Sequence, residues 1–431
     1  MLVIPWEIEE NDSQILWGGV VELRPGLHSI VRSFGVRAGF GAVCVLLLGS
    51  AAVPPLARAA VLTVSTTVDL PGTVCGSPCS LRQAVNAANA AGGVNTISFA
   101  VDGPFALTTG VELFVDGSQS QTLTITGNGR THTIIAGEGV TRLLEVGAGA
   151  TVNVSGVTLR DGNAGAGDGG AILNIGTLAV DDSTITSNVA GVRGGGIRNA
   201  PRSSLVVTET LISGNSAGVV GGGIASGGDS RLDVSHSVIS GNSAAGAGGG
   251  GGIANQGQAT VLETTIAGNT AVDHGGGISI GAAVNSVPGL LTLRDSVISN
   301  NTVTGSGSGK DGGGIANYSS LVVEHSSVLA NRAGYDGGGI ANEFGAIATV
   351  TDSSITGNVS RHDGGGITNE FKGTPTNSVT LTRSQITTNT AGHLGGGIFN
   401  AFGMVTLDTS VVTNNVPGNC RPTGGVPGCV G

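Results

Sequence analysis

The chain has 431 residues, a net charge of −10 and 11% charged residues, with only two lysines, Lys310 and Lys372. No basic run exists to hold a phosphate backbone, which excludes a nucleic-acid-binding class. With 39% hydrophobic but 3% aromatic content, any core must be built from Val, Ile, Leu and Ala, and 78 glycines at fixed offsets from aliphatic residues exclude a disordered glycine-rich chain.

Residues 1–30 carry Glu7, Glu9, Glu10 and Asp12, the wrong sign for a signal n-region, and read as an extension of doubtful status, such as a mis-assigned start. Residues 31–59 read as a signal peptide. Arg32 and Arg37 precede the apolar run 38–53, Pro54–Pro55 end it, and small residues place cleavage after Ala59. A membrane anchor is the rival reading, but the run is short against the about 20 residues of a span. No second apolar stretch follows. Cys44 leaves with the signal, so four cysteines remain, in two close pairs: Cys75 with Cys79 and Cys420 with Cys429. In an exported chain they are expected as disulfides. Zinc is the alternative, but no histidine lies near either pair.

Residues 60–94 are expected to form an N-terminal cap. Within them SLRQAVNAANAA at 80–91 predicts the one convincing helix, with Ser80 as N-cap, Gln83 as its capping-box partner and Gly92–Gly93 as the stop. Leu81, Ala84, Val85 and Ala88 form one apolar stripe, suited to covering an open first coil. Residues 95–160 are strand-like and should be the first, irregular coils of a 95–415 repeat domain.

From residue 169 a run of glycines followed by Ile recurs nine times, as in GGAILN at 169–174, GGGIRN at 194–199 and GGGIAN at 337–342. A second column runs beside it: Ser or Thr, any residue, an aliphatic residue, two more, then Asn. Its asparagines are Asn188, Asn215, Asn242, Asn269, Asn301, Asn331, Asn358, Asn389 and Asn415. A third, alternating run such as LVV at 205–207 lies between. Alternation is the strand period, and three short strands per turn predict an all-β, single-stranded parallel β-helix. The usual hand of parallel crossovers makes it right-handed. The Asn and Ser/Thr columns are expected to stack and hydrogen-bond along the axis. Residues 416–431 are left as a disulfide-stapled tail.

The string CSLRQAVNAAN from Cys79, with NTISFAV at 95–101, resembles the CSLREA signature of secreted bacterial proteins. The GGGIxN coils resemble the right-handed β-helix repeats of the same proteins and of polymorphic outer-membrane proteins. The resemblance implies export, a secreted or cell-surface location and the β-helix fold. It implies no catalytic residue.

One set of positions departs from the repeat. The residue before the glycine run becomes Asp311, Asp336 and Asp363 in late coils, with His362 and His393 one position before this residue in their coils. Stacked coils make this a carboxylate row needing compensation, for which Lys310, Arg361 or a Ca²⁺ ion are candidates. Tyr318, Tyr335, Phe344, Phe371, Phe399 and Phe402 gather in the same coils, and Glu343 and Glu370 precede Phe344 and Phe371. One reading is a solvated acidic turn with an aromatic stack filling the wider end of the solenoid. The other is a glycan-binding face between residues 272 and 402, where carboxylates hold hydroxyls or Ca²⁺ and Phe344 and Phe371 stack on sugars. A non-catalytic, monomeric protein that binds a glycan or another surface and requires no cofactor is the favoured expectation. The alternative is a polysaccharide lyase or glycoside hydrolase, which fold analogy alone suggests.

Overall fold

The computed structural model describes residues 59–281, 289–370, 376–422 and 425–430. Residues 1–58, which hold the doubtful extension and nearly all of the signal segment, lie outside them, as does Phe371.

The chain coils into a right-handed parallel β-solenoid of about 11 turns. Each full turn contributes, in chain order, a five-residue strand such as Arg231–Ser235, a three-residue strand such as Val238–Ser240, a two-residue strand such as Ser243–Ala244 and a strand such as Ile253–Asn255. Every strand pairs in parallel with its equivalent in the next turn, giving sheets of 13, 12, 8 and 12 strands. The sequence predicted three strands per turn. The fourth, just after the Asn column, is two residues long, too short to show alternation; its second residue is usually a buried Ala, as at Ala190, Ala217 and Ala244.

Stacking closes the core. Ile185, Ile212, Ile239 and Ile266 lie over one another on one wall, and Ile197, Ile224, Ile253 and Ile278 on another, all with no exposure. The glycines let the turn between the short strand and the motif strand close tightly. Gly337 has φ +63°, and a Cβ on Gly339 would sit 2.6 Å from the carbonyl oxygen of Gly366 in the next coil.

The Asn column stacks as expected. Asn301 shows the pattern: its Oδ1 accepts from the backbone N–H of Asn269 (2.9 Å) and from Asn269 Nδ2 (3.0 Å). Its own Nδ2 donates to Ile266 O (2.9 Å) and to Asn331 Oδ1 (3.0 Å). The Ser/Thr column works similarly: Ser296 Oγ bonds Arg294 O and accepts the Thr264 amide. A second ladder joins the motif asparagines, from Asn317 to Asn342, Asn369 and Asn400.

The first helix, α1 (Leu81–Ala91), has both capping-box bonds, Gln83 N to Ser80 Oγ and Ser80 N to Gln83 Oε1. Its stripe of Leu81, Ala84, Val85 and Ala88 is buried against the strands Ala60–Val64 and Leu113–Val115. Arg82, also buried, holds Asp69 (2.7 Å) and the carbonyls of Val111 and Glu112. Both disulfides are present, Cys75–Cys79 and Cys420–Cys429, and Cys420–Arg421 adds the last strand to the motif sheet. No helix of the described residues is long and apolar enough to cross a membrane.

Candidate functional site

On each strand of the motif sheet Ile and Asn point inward, and the residue between them points away from the core. In register these outward residues run Arg198, Ala225, Ala254, Ser279, Ala316, Ala341, Thr368 and Phe399. Six consecutive small side chains between two large ones form the floor of a trough, about 24 Å long at about 4.8 Å per coil. One wall is the residue before the glycine run, the other the residue after Asn.

The first half of the trough is open, a cleft of about 630 Å³ lined by Arg193, Arg198, Asn255, Gln256, His274 and Tyr318 among others. Arg198 is buried, with Nε 3.6 Å from Asp168 Oδ2 and Nη1 donating to Ala225 O at 3.3 Å. Burial lowers its pKa, the charge of Asp168 opposes that, and the neighbouring Arg193 adds to it. Arg193 is exposed, and Arg202, 3.9 Å from Asp229, also lines the cleft, so three guanidinium groups gather at this end of an acidic chain.

At the other end His274 and Tyr318 meet edge-on, ring centroids 5.3 Å apart. His274 Nδ1 and the Tyr318 hydroxyl are buried and have no hydrogen-bond partner among the described residues. An unsatisfied buried polar group costs about 1–3 kcal/mol, which a ligand hydroxyl or a water would relieve. Burial pushes the Tyr318 phenol up, reinforced by Glu343 and Asp311, so it stays a neutral donor. Burial pushes His274 down, so it is the free base at neutral pH.

Beyond Tyr318 the walls close over the floor. Asp311, Asp336 and Asp363 are only 3%, 7% and 4% exposed, so the row is not a solvated turn. Each carboxylate accepts the backbone N–H of the next coil: Asp311 Oδ1 that of Asp336 (2.9 Å), Asp336 Oδ1 that of Asp363 (2.6 Å) and Asp363 Oδ1 that of Leu394 (2.8 Å). His362 Nδ1 adds a contact to Asp336 (3.1 Å) and His393 Nδ1 one to Asp363 (3.0 Å). Lys310 pairs instead with Asp273, and Arg361 is exposed and forms no ion pair among the described residues. Compensation therefore comes from amides and imidazoles.

Across the trough Glu343 donates its carboxyl proton to Asp311. Burial, then Asp311 and Asp336, push Glu343 up to about 9. Burial is likewise the main cause that lifts Asp311 to about 7, while the Asp336 amide and Glu343 hydroxyl oppose it. Glu370, in register with Glu343, and Asp336 are also raised, in both cases mainly by burial. Phe344 points outward, 57% exposed, its ring 5.5 Å from that of Tyr318. Tyr318, Tyr335 and Phe344 thus sit on the outside of the coils; Phe99 and Phe105 are the aromatics of the described core. The structure brings Asp311, Asp336, Asp363, His362 and His393 together, but the open cleft lies before them in the chain. Arg193 and His274 stand in the same column before the glycine run as the Asp row but were not read as ligand contacts, and Arg198 was not singled out, since the identity of outward residues follows no period.

No protein-family model matches the chain, and no curated protein matches its sequence. Among solved structures it is similar to the A-module of the Azotobacter vinelandii mannuronan C-5 epimerase AlgE6, at 15% identity and TM-score 0.43, covering 79% of this chain and 94% of that one. It is also similar to a mannuronic acid specific polysaccharide family 6 lyase from human gut microbiota, at 12% identity and TM-score 0.35, covering 84% of this chain and 90% of that one.

Proposed function

We propose that this is an exported β-helix of the CSLREA-like kind whose cleft between Arg198 and Tyr318 binds a linear, carboxylate-bearing polysaccharide. The observation that carries the reading is the pairing of a trough floored by small residues with three guanidinium groups, Arg193, Arg198 and Arg202, at its open end. Guanidinium forks match carboxylate geometry, while the Tyr318 phenol and the Gln256 amide, both in the cleft lining, suit sugar hydroxyls. Although the chain carries a net charge of −10, this cleft is lined by Arg193, Arg198 and Arg202 against one carboxylate, Asp229, so the local sign is positive.

The cleft is tested by affinity electrophoresis of the exported chain against neutral and uronate-containing polysaccharides. Uronate polymers should retard it and neutral ones should not, and Arg193→Ala, an exposed change, should weaken retardation by about tenfold, as for loss of one charge-assisted contact. Equal retardation by neutral polymers would remove the basis of the proposal.

A second reading, cleavage of the same polymer by β-elimination, has one observation in its favour. His274, whose pKa burial lowers, and Tyr318, whose phenol burial keeps protonated, face each other from opposite walls at the far end of the cleft whose other end carries the arginines that would neutralise a sugar carboxylate. Ultraviolet absorbance of a conjugated product, appearing when the chain is incubated with a polyuronate and lost in His274→Ala, would establish it over plain binding. A hydrolase built on Asp311 and Glu343 is disfavoured, because the two share a hydrogen bond where glycosidases separate their carboxyls by about 5–10 Å.

Calcium has no part in this proposal. Oδ1 of Asp311, Asp336 and Asp363 is in each case engaged by an amide, and His362 and His393 add imidazole contacts to Asp336 and Asp363. Adding millimolar Ca²⁺ should therefore leave the melting temperature unchanged; a clear rise would return the Asp row to the status of a cation site.

A further inference from the structure

A ring column stands on the rim of the closed half, one position before the Asp row. Tyr335 stacks on His362 with centroids 4.4 Å apart and planes 7° from parallel, and His362 stacks on His393 at 5.0 Å and 22°. Both imidazoles turn Nδ1 toward the same carboxylate. His362 Nδ1 lies 3.2 Å from Asp363 Oδ2, and His393 Nδ1 lies 3.0 Å from Asp363 Oδ1. One ligand atom from each of the three residues falls within 4.8 Å of the others.

We propose that His362, Asp363 and His393 form a binding site for a divalent transition ion of the zinc class. Two ligand atoms bound to zinc at about 2.0–2.2 Å in tetrahedral geometry stand about 3.3–3.5 Å apart. Each Nδ1 already lies within a few tenths of an ångström of that spacing from one Asp363 oxygen, and the three ligand atoms need to draw together from within 4.8 Å. Each imidazole binds through the Nδ1 lone pair and keeps its proton on Nε2, so no bond to carbon changes.

Asp363 is the anchor, nine-tenths buried and fixed by the Leu394 amide, while its Oδ2 faces only His362. The side chains of His362 and His393 are 36% and 59% exposed, which gives an ion a path in and leaves room for water as a fourth ligand. Asp336 Oδ1 holds the Asp363 amide at 2.6 Å and supports the carboxylate from behind. Two imidazoles and one carboxylate select zinc, nickel or copper over calcium, which takes oxygen ligands. This site does not depend on the cleft binding a polysaccharide.

The test is calorimetric titration of the untagged chain with Zn²⁺ at neutral pH, beside the variants His362→Asn/His393→Asn and His236→Asn/His325→Asn. The wild type should take up one ion per chain, and the first variant should bind at least about tenfold more weakly. The second variant removes two exposed histidines paired with Glu263 and Asp352 and should bind like the wild type. Millimolar Ca²⁺ should not displace the zinc. Circular dichroism of the first variant, which replaces one half-buried and one exposed ring with smaller polar side chains, should match the wild type. No uptake by the wild type, or uptake unaltered in a folded first variant, would overturn the site.

Discussion

Replacing Asn301 with Ala is expected to lower unfolding stability by about 4 kcal/mol, a large loss for a single polar position. Asn301 is fully buried, and its side chain makes four hydrogen bonds to the two neighbouring coils. Alanine strands the buried Asn269 backbone N–H without an acceptor, takes one of two acceptors from Asn269 Nδ2, which keeps Ile239 O, and removes the donor that Asn301 Nδ2 gives to the Ile266 carbonyl. For a domain of this size the melting temperature should fall by about 10 °C. Because each turn touches only its neighbours, the change should also uncouple the two halves of the solenoid, seen as faster hydrogen exchange in the coils on either side. Asn300→Gly next to it is the control: Asn300 is exposed at φ +55°, a conformation glycine adopts freely, so this variant should melt near the wild type. A small effect of Asn301→Ala would mean that the ladder accompanies the fold without supporting it.

The acidic trough predicts an unusual pH response. Glu343 is pushed up to about 9 by burial first and then by Asp311 and Asp336. A carboxyl whose folded pKa is raised favours folding while protonated. Its contribution is fully present below about 4.5 and is lost as pH rises toward about 9. Asp311, lifted to about 7, loses its contribution in the lower part of the same window. The wild type should therefore lose stability between pH 6 and 9, where most folded proteins change little. Glu343→Gln keeps a donor toward Asp311 without the ionisation. At pH 9 it should melt about 5 °C above the wild type, a gain of a few kcal/mol, and at pH 5 the two should agree. Calorimetry at the two pH values decides this. A wild type no more pH-sensitive than the variant would show that the carboxyls are solvated.

The architecture was legible because the coil repeats the same demands every turn. A buried Asn must find partners in both neighbouring coils, so Asn188 to Asn415 recur at one offset and reveal the stacking directly. The capping helix was legible from Ser80, Gln83 and its stripe, because a capping box is a local motif. The two-residue strand was not, since Val189–Ala190 and its equivalents are shorter than one period. The Asp row was found as a departure from the repeat, but its burial was not. Whether a wall residue meets solvent depends on the partner across the trough, and Glu343, some 30 residues from Asp311, supplies that partner. The cleft was hidden for the same reason. Arg193 and Arg198 look like ordinary surface charges until register sets Arg198 at the head of a line of alanines.

The central claim, that the open cleft recognises the carboxylates of a linear polysaccharide, is tested most directly by titrating one uronate oligosaccharide and its carboxyl-reduced counterpart into the chain. The account predicts that the uronate binds, that binding weakens as salt rises from about 0.01 to 0.1 M because Arg193 is exposed and screened, and that the reduced sugar binds at least about tenfold more weakly. Equal affinity for the two sugars, independent of salt, would contradict it.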